Sequence, residues 1–195
     1  MGRVVAALSM SLDGFVADEH DGVAELFGWY QNGDVEVPGA DPRWVFHVTE
    51  ASAGYLRPAL SSAGALICGR RLFENTDGWG GRHPAGCPVF VVGHSVPGGW
   101  PREDSETSFF TDPISALEAA QKTAGERVVS VSTPTLTQHY LDAGLLDEIT
   151  VSLVPVLLGA GTSFFGGQVV MPVRLSDPRV IEGRGVTHLT YTVLR

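Results

Sequence analysis

Short apolar segments alternate with segments of helical periodicity through the second half of the chain, and this alternation constrains the fold most. A helix is predicted after Asp112, whose side chain suits an N-cap. Strands are predicted on both sides of that helix, at residues 108–110 and 128–131, as in a βαβ unit. A second unit follows, with a helix at 134–143 and an apolar strand at 149–158. Strands joined through helices predict an α/β fold with a largely parallel sheet.

The first half of the chain predicts further elements of the same sheet. Apolar runs indicate three buried strands, at residues 3–10, 65–68 and 89–92. Asp41 and Pro42 resemble the N-cap and first residue of a helix, which we expect to end near Ser61. Residues 25–41 combine Gly, Asp, Pro and aromatic residues without a clear period, so they predict a long loop.

The C-terminal part changes character. Strand-like segments separated by Gly and Pro turns are predicted at residues 169–175, 179–182 and 187–194. These short strands are expected to be antiparallel and to complete a sheet that is parallel elsewhere. The whole pattern predicts one domain over residues 1–195, with a mixed, mostly parallel sheet and three or four helices around it.

Charge and hydropathy exclude two classes of partner. The formal net charge is -9 and no run of Lys or Arg is present, so the basic footprint of a nucleic-acid-binding protein is missing. No apolar segment approaches the ~20 residues that cross a bilayer, and no signal-peptide pattern is recognised at the N-terminus. We therefore expect a cytoplasmic protein whose partner is a small molecule.

Cysteine and histidine are few. Cys68 lies in an apolar strand-like run and Cys87 in a Gly/Pro loop, which argues against a disulfide framework. His83 and Cys87 have the closest metal-like spacing, but a second pair of ligands is missing. The sequence therefore predicts reduced cysteines and no structural metal.

The strongest chemical signal is Gly69-Arg70-Arg71, placed between a predicted strand and a predicted helix. Amides at a helix start and guanidinium groups are typical of a phosphate-binding site. A glycine followed by basic residues is also common in a plain solvated turn, and the residues alone leave both interpretations open.

Two further signals lie at predicted strand ends. Ser132, Thr133 and Thr135 follow the strand at 128–131 and could contact a pyrophosphate, although a simple helix cap explains them equally. Ser11, Asp13 and Gly14 follow the first strand, where ligands bind in open α/β sheets, but Asp-Gly is also an ordinary turn. No motif for a Rossmann dehydrogenase, a nucleoside triphosphatase or a Gly-x-Ser-x-Gly hydrolase is present.

Taken in order, four segments carry a family resemblance: residues 11–17, 69–74, 142–148 and 155–161, the last continuing to Phe164-Phe165. In these segments the chain resembles the dihydrofolate-reductase-like proteins that share the reductase domain of riboflavin biosynthesis. The resemblance covers essentially the whole chain. It implies a three-layer α/β fold with helices on both faces of the sheet, and a homodimer.

The resemblance also implies an NADPH-dependent reductase that transfers hydride to a small, flat heterocycle related to a pteridine or a pyrimidine. On the cofactor side it implies Gly69, Arg70, Arg71, Leu72, Val92, His94, Ser132, Thr133, Thr135 and Leu136. On the substrate side it implies Ser11, Asp13, Gly14, Val154 and Pro155. No proton donor is singled out among Glu50, Glu74, Asp147 and Glu148.

Several positions differ from the family's usual pattern. Ser132-Thr133 replaces Gly-Gly or Gly-Ser, Leu72 replaces Thr, and Gly93 replaces Thr or Ser. Since a glycine pair lets the backbone approach a pyrophosphate, an alternative hypothesis is a ligand-binding homologue with a degenerate dinucleotide site. Phe15 stands where the riboflavin-pathway reductases carry Lys, which predicts that ribose-phosphate recognition of that kind is missing.

Two lesser hypotheses remain from the sequence. A cis peptide bond at Thr133-Pro134 would rebuild the turn that a glycine pair normally supplies. An electron-transfer or flavin-binding module is compatible with the acidic charge and the aromatic content, although no motif requires it.

Overall fold

The computed structural model describes residues 2–165 and 172–194. The strands are β1 (Val4–Ser11), β2 (Phe15–Ala17), β3 (Val35–Pro38), β4 (Val45–Val48), β5 (Ala63–Gly69), β6 (Val89–Val92), β7 (Thr107–Phe110), β8 (Val128–Val131), β9 (Glu148–Val154), β10 (Thr162–Ser163), β11 (Arg179–Gly183) and β12 (Val186–Thr192). The helices are α1 (Ala24–Phe27), α2 (Glu50–Ser62), α3 (Arg70–Asn75), α4 (Pro113–Ala124) and α5 (Pro134–Asp142), with short 3-10 turns at Gly28–Tyr30 and Asp77–Gly81.

The central sheet has eight strands in the order β11-β12-β9-β1-β8-β5-β6-β7. The six strands from β9 to β7 are parallel to their neighbours, whereas β12 and β11 are antiparallel. The mixed sheet that the sequence predicts, with antiparallel strands at the C-terminus, is confirmed.

Both faces of the sheet are covered, because successive side chains of a strand point to opposite sides. On β5, Ala65 and Ile67 pack into the cluster that contains Leu117 of α4 and Tyr140 of α5. Leu66 and Cys68 point the other way and pack with Phe73 of α3. Helix α2 covers the same face as α3, where Leu56 packs with Val154. The predicted three-layer α/β fold with helices on both faces is therefore confirmed.

The sequence prediction is wrong between residues 25 and 49. The predicted helix start at Asp41 is a turn in which the carboxylate accepts hydrogen bonds from Arg43, and residues 45–48 form β4. β4 pairs with β3, which lies in the predicted loop. The helix itself begins at Glu50, where the Thr49 hydroxyl accepts a hydrogen bond from the Ser52 amide at 3.3 Å. Val45, Phe46 and Val48 form a strand because they pack across a hairpin, and pairing of that kind is not visible in local sequence.

Smaller corrections concern the C-terminal part. The predicted strand at 149–158 is shorter and ends at Val154, before Pro155. Of the predicted strand at 169–175, residues 169–171 lie outside the described residues. In the remainder, only Leu175 makes a β-bridge, to Val193. The strand predicted at 187–194 is observed as Val186–Thr192.

Both cysteines are free and buried. Within residues 2–165 and 172–194, no group of three or more His, Cys, Asp and Glu side chains could hold a metal ion. None of the helices in those two ranges has the length and apolar character that spanning a bilayer requires.

Candidate functional site

The connections around β5 and β8 create a crevice at one edge of the sheet. The two strands are adjacent and parallel, but the helices that follow them cover opposite faces. β5 continues through α3 to β6 on one side, and β8 continues through α5 to β9 on the other. Ligands of open α/β sheets bind at such a point, outside the carboxyl ends of the strands. The crevice is therefore bordered by Gly69 and by Ser132-Thr133, which follow β5 and β8.

Thr133 lies directly against Gly69 across this crevice. Its hydroxyl oxygen accepts a hydrogen bond from the Gly69 amide at 3.2 Å, and a β-carbon placed on Gly69 would lie 3.6 Å from Thr133 Cγ2. Thr133 has extended backbone angles, φ -141° and ψ 140°, just before α5. The cis hypothesis for Thr133-Pro134 is wrong, since Trp100-Pro101 is the only cis peptide in the described ranges. The Thr133 side chain thus occupies part of the space that a glycine would leave open.

Arg70 leaves the crevice toward the end of β6. Its guanidinium group donates hydrogen bonds to Glu74 Oε1 at 2.8 and 3.0 Å and to the Ser95 hydroxyl. Gly93 follows β6, and a β-carbon there would lie 2.8 Å from Arg70 Cβ. Such a contact is closer than real β-carbons approach, so Gly93 is the residue that makes room for Arg70. The difference from the family pattern at this position has a steric explanation.

Arg71 points toward the first strand. Its Nε lies 3.1 Å from Asp21 Oδ2, in the turn that follows β2. The two arginines of the Gly69-Arg70-Arg71 signal therefore diverge, one toward β6 and one toward β1 and β2. Both guanidinium groups are at the rim of the crevice, and each is paired with a carboxylate of its own chain.

The other residues implied for the cofactor side differ in exposure. Leu136 is buried in the main core, and half-buried Leu72 packs against the cluster beneath α3. Their side chains therefore contribute to packing. The replacement of threonine by Leu72 leaves no polar atom without a partner at this position. Val92 also packs on the core, whereas His94 and Thr135 are exposed.

Ser11 and Asp13 form a connected hydrogen-bond group at the end of β1. The buried Ser11 hydroxyl donates to Asp13 Oδ1 at 2.6 Å, and the Phe15 amide donates to Ser11 Oγ at 2.9 Å. Asp13 also accepts hydrogen bonds from the Leu158 and Gly159 amides, at 3.1 and 2.7 Å. The Ser11 hydrogen bond, with those amides, lowers the pKa of Asp13. Asp13 is therefore ionised at neutral pH and ties β1 to the segment that follows β9.

The remaining residues implied for the substrate side lie beside this group. Val154 pairs with Ser11 in the sheet register and is buried. Pro155 is exposed immediately after it. Gly14 has φ +92°, a conformation that favours glycine, and its carbonyl accepts a hydrogen bond from the Phe164 amide at 2.9 Å. The structure thus brings all five of these residues to one end of β1 and β9.

Sequence analysis missed a buried polar row on the α2 face of the sheet. Ser9, Ser152 and His188 are neighbours in register across β1, β9 and β12. His188 Nδ1 lies 2.9 Å from Ser152 Oγ, and its Nε2 lies 3.1 Å from Ser52 Oγ of α2. Burial lowers the pKa of His188 to about 4, so the imidazole is neutral at physiological pH.

Aromatic rings cover this polar row. Tyr55 stacks on His188 with ring centroids 4.1 Å apart, and Trp29 contacts it edge-on at 4.8 Å. The Trp29 indole donates a hydrogen bond to Ser9 Oγ at 3.2 Å. The available signal was the alternation of Ser and Thr with apolar residues in β9 and β12. That alternation is typical of a sheet with one solvated face, whereas here both faces are buried.

Two cavities among the described residues lie away from the crevice. One, of about 350 Å³, is lined by Leu141, Gly144, Leu146, Pro172, Val173, Arg174, Val193 and Leu194. The other, of about 290 Å³, is an apolar trough on the sheet face, lined by Met10, Ile149, Val151, Leu153, Phe165, Leu175, Leu189 and Tyr191. In the crevice between β5 and β8, Thr133 contacts Gly69 and Arg71 pairs with Asp21.

The sheet order, the two covered faces and the crevice define a dihydrofolate-reductase-like α/β protein. Dihydrofolate reductase from Enterococcus faecalis, solved in complex with NADP(H) and RAB-propyl, has a similar structure, with a TM-score of 0.59, 15% identity, and coverage of 100% of this chain and 98% of that chain. Within this class, the chain belongs to the RibD C-terminal domain family, whose model matches residues 3–184.

Two further solved structures have the same fold. A putative riboflavin biosynthesis protein from Shewanella sp. PV-4 matches with a TM-score of 0.71 and 22% identity, over 100% of both chains. RibD from Acinetobacter baumannii matches with a TM-score of 0.66 and 15% identity, and the match covers 100% of this chain and 59% of that protein. The comparison with curated protein sequences gives no match.

Proposed function

We propose that this protein is a reductase that uses NADPH and transfers hydride to a C=N or C=O carbon of a small, flat heterocycle. The observation that carries the proposal is the crevice between β5 and β8, where the Ser132-Thr133 turn lies against Gly69 at the carboxyl edge of the sheet, with Arg70 and Arg71 at the rim. Membership of the RibD C-terminal domain family and the NADP(H)-bound Enterococcus reductase of the same fold support it.

The guanidinium groups of Arg70 and Arg71 suit the phosphates of a dinucleotide, whereas the Thr133 side chain over Gly69 leaves less room for them. Arg70 and Arg71 would hold phosphate groups through charge-assisted hydrogen bonds, with Ser132 beside them. Thr133 covers the Gly69 amide, so a ligand that needs this amide must displace the Thr133 hydroxyl. The bound nicotinamide would supply the hydride, and the end of β1 with Ser11 and Val154 would orient the heterocycle.

The proton of the reduction needs a source other than Asp13. Its lowered pKa means that Asp13 is already deprotonated at neutral pH, and its oxygens accept three hydrogen bonds from Ser11, Leu158 and Gly159. His188 is neutral and sealed beneath Trp29 and Tyr55. We therefore assign proton delivery to solvent water at the open edge of the crevice.

The proposal predicts NADPH binding that depends on both arginines. Titration calorimetry of the Arg70→Ala, Arg71→Ala double variant should give an affinity on the order of 100-fold lower than that of the wild type, because two charge-assisted contacts of at least ~1.5 kcal/mol each are lost. Arg57→Ala removes an exposed arginine of α2 and is the matched control. Equal NADPH affinities in the double variant and the wild type would contradict the assignment of these arginines.

A second candidate, a ligand-binding homologue without a working cofactor site, is favoured by one observation, the Thr133 side chain over Gly69. Thr133→Gly separates the two candidates in the same titration. If the wild type binds neither NADPH nor NADH at millimolar concentration and Thr133→Gly binds NADPH, the threonine has closed the site. If neither protein binds a dinucleotide, the cofactor-free function replaces the reductase.

We also infer a homodimer that pairs through the sheet. The apolar trough on β1, β9 and β12 is lined by half-buried Met10, Leu153 and Tyr191, beside the part of this face that α5 covers. Apolar surface of this kind is typical of an interface between subunits. Light scattering after gel filtration should give twice the 20.7 kDa chain mass at micromolar concentration. A monomer at 100 µM, on the order of a weak complex's Kd, would contradict this inference.

A cytoplasmic location is part of the proposal. Burial raises the pKa of the Cys87 thiol to about 11, and Cys68 and Cys87 are both free. Unpaired, protonated thiols suit a reducing compartment.

A further inference from the structure

We propose that Asp21 and Glu74 act as internal counter-ligands, which occupy Arg71 and Arg70 and so limit how tightly the crevice binds an anionic ligand. This inference rests on the proposed function, because it concerns the regulation of the same crevice. It assigns a role to two carboxylates that the reductase proposal leaves unused.

The Arg71–Asp21 ion pair crosses the crevice. Arg71 follows β5, whereas Asp21 belongs to the turn after β2, which continues from the end of β1. In the sheet, β8 lies between β1 and β5. The contact of 3.1 Å between Arg71 Nε and Asp21 Oδ2 therefore bridges the end of β8, where Ser132 and Thr133 form the floor.

The turn that carries Asp21 is internally organised. Asp18 Oδ1 accepts hydrogen bonds from the His20 amide at 2.8 Å and the Gly22 amide at 2.7 Å. The Asp18 amide donates to the Gly22 carbonyl at 2.9 Å. Asp21 has φ +63°, which aspartate tolerates better than most residues. These contacts close the turn without the Arg71–Asp21 ion pair.

Glu74 holds the second arginine from within the same helix. It lies four residues after Arg70, and its Oε1 accepts from both Nε and Nη2 of the guanidinium group. Ser95 accepts a third hydrogen bond from Arg70, so three donors of this guanidinium group are engaged. The two arginines and two carboxylates carry no net charge together. A phosphate therefore competes with the carboxylates for these guanidinium groups.

Competition of this kind affects highly charged ligands most. The repulsion between a carboxylate and a phosphate increases with the charge of the phosphate and decreases with salt. Removal of one carboxylate should therefore strengthen binding of NADPH, which carries the additional 2′-phosphate, more than binding of NADH. Asp21 and Glu74 are thus specificity-determining residues for the proposed cofactor site.

The test uses the full chain as wild type, Asp21→Asn, Glu74→Gln and the double variant. Glu118→Gln, an exposed carboxylate on α4, is the control for the change in net charge. Inorganic pyrophosphate, NADPH and NADH are titrated by calorimetry at low and high salt. For Asp21→Asn and for Glu74→Gln we expect pyrophosphate and NADPH to bind about three- to ten-fold more tightly at low salt, with a smaller gain for NADH and at high salt.

The outcomes separate this inference from the reductase proposal. Tighter pyrophosphate binding in Asp21→Asn supports the inference even if neither the wild type nor any variant binds NADPH. Absence of NADPH binding would contradict the reductase proposal and not this inference. Wild-type NADPH binding that neither Asp21→Asn nor Glu74→Gln improves beyond Glu118→Gln overturns the inference and leaves the reductase in place. Absence of pyrophosphate and NADPH binding in every variant overturns both. Thermal unfolding of each variant is measured as well, to check that the fold is retained.

Discussion

Replacement of Trp29 by alanine should lower the free energy of unfolding by about 3 to 5 kcal/mol, the range for removal of a large buried aromatic side chain. Trp29 is only 3% exposed and contacts Tyr30, Tyr55 and His188 through its ring. The substitution leaves a cavity above the polar row and takes the indole donor from Ser9 Oγ. Urea denaturation at neutral pH, followed by circular dichroism, measures the change.

Two matched variants divide this effect into its causes. Trp29→Phe keeps an aromatic ring but loses the indole N–H, so we expect a smaller loss of about 1 to 2 kcal/mol. Leu157→Ala removes an exposed apolar side chain, 69% accessible, and should change stability by less than about 0.5 kcal/mol. If Trp29→Ala were no more destabilising than Leu157→Ala, the segment from α1 to the 3-10 turn at Gly28–Tyr30 would not be packed as described.

Acidification should destabilise the protein through His188. Burial lowers the pKa of His188 from 6.5 to about 4, so the folded protein resists protonation that the unfolded chain accepts. Stability from this residue is complete above pH 6.5, falls as the pH decreases from 6.5 toward 4, and levels off below. The difference between these two pKa values corresponds to about 3 kcal/mol at most. Free energies of unfolding in urea between pH 7.5 and 4 measure the slope.

A comparison of histidine variants isolates that contribution. His188→Asn keeps a polar side chain between Ser152 and Ser52 but does not titrate, so its stability should depend less steeply on pH. His20→Asn, at an exposed position, is the control for the loss of an imidazole. His83 contributes in the same direction, because burial lowers its pKa to about 4 as well. Parallel pH curves for the wild type and His188→Asn would contradict a buried, neutral His188.

Local signals predicted some elements well. Asp112 caps α4 as predicted, since its carboxylate accepts from the Ser115 amide at 2.8 Å. α5 begins at Pro134, also as predicted, and its local signal is the proline in the first turn. The same reasoning is wrong at Asp41-Pro42, where the cap-like residues form a turn before β4. The segment after Asp41-Pro42 does not continue as a helix because it forms β4, which pairs with β3. A cap signal therefore predicts a helix only where the segment after it has no partner strand.

Some residues of the candidate site are recognisable in the sequence, and others are brought there only by the fold. Gly69, Arg70 and Arg71 are recognisable because a strand end, a helix start and two cations lie together in the sequence. The partners of these cations are less visible: Glu74 lies one helical turn away, but Asp21 is brought to Arg71 only by the neighbouring strands. The sequence also marks Gly93 as a departure from its family, and the structure supplies its cause in the Arg70 side chain.

By itself, the sequence determined the α/β class, the alternation of strands and helices, and the strand ends that border the crevice. These features follow from periodicity and from end signals within short segments. Only the tertiary structure decided which faces of the strands are buried. Ser9, Ser152 and His188 alternate with apolar residues, a pattern that fits a solvated face as well as a buried one. Helix α2 and Trp29 cover this face from distant parts of the chain, and that coverage makes a polar row part of the core.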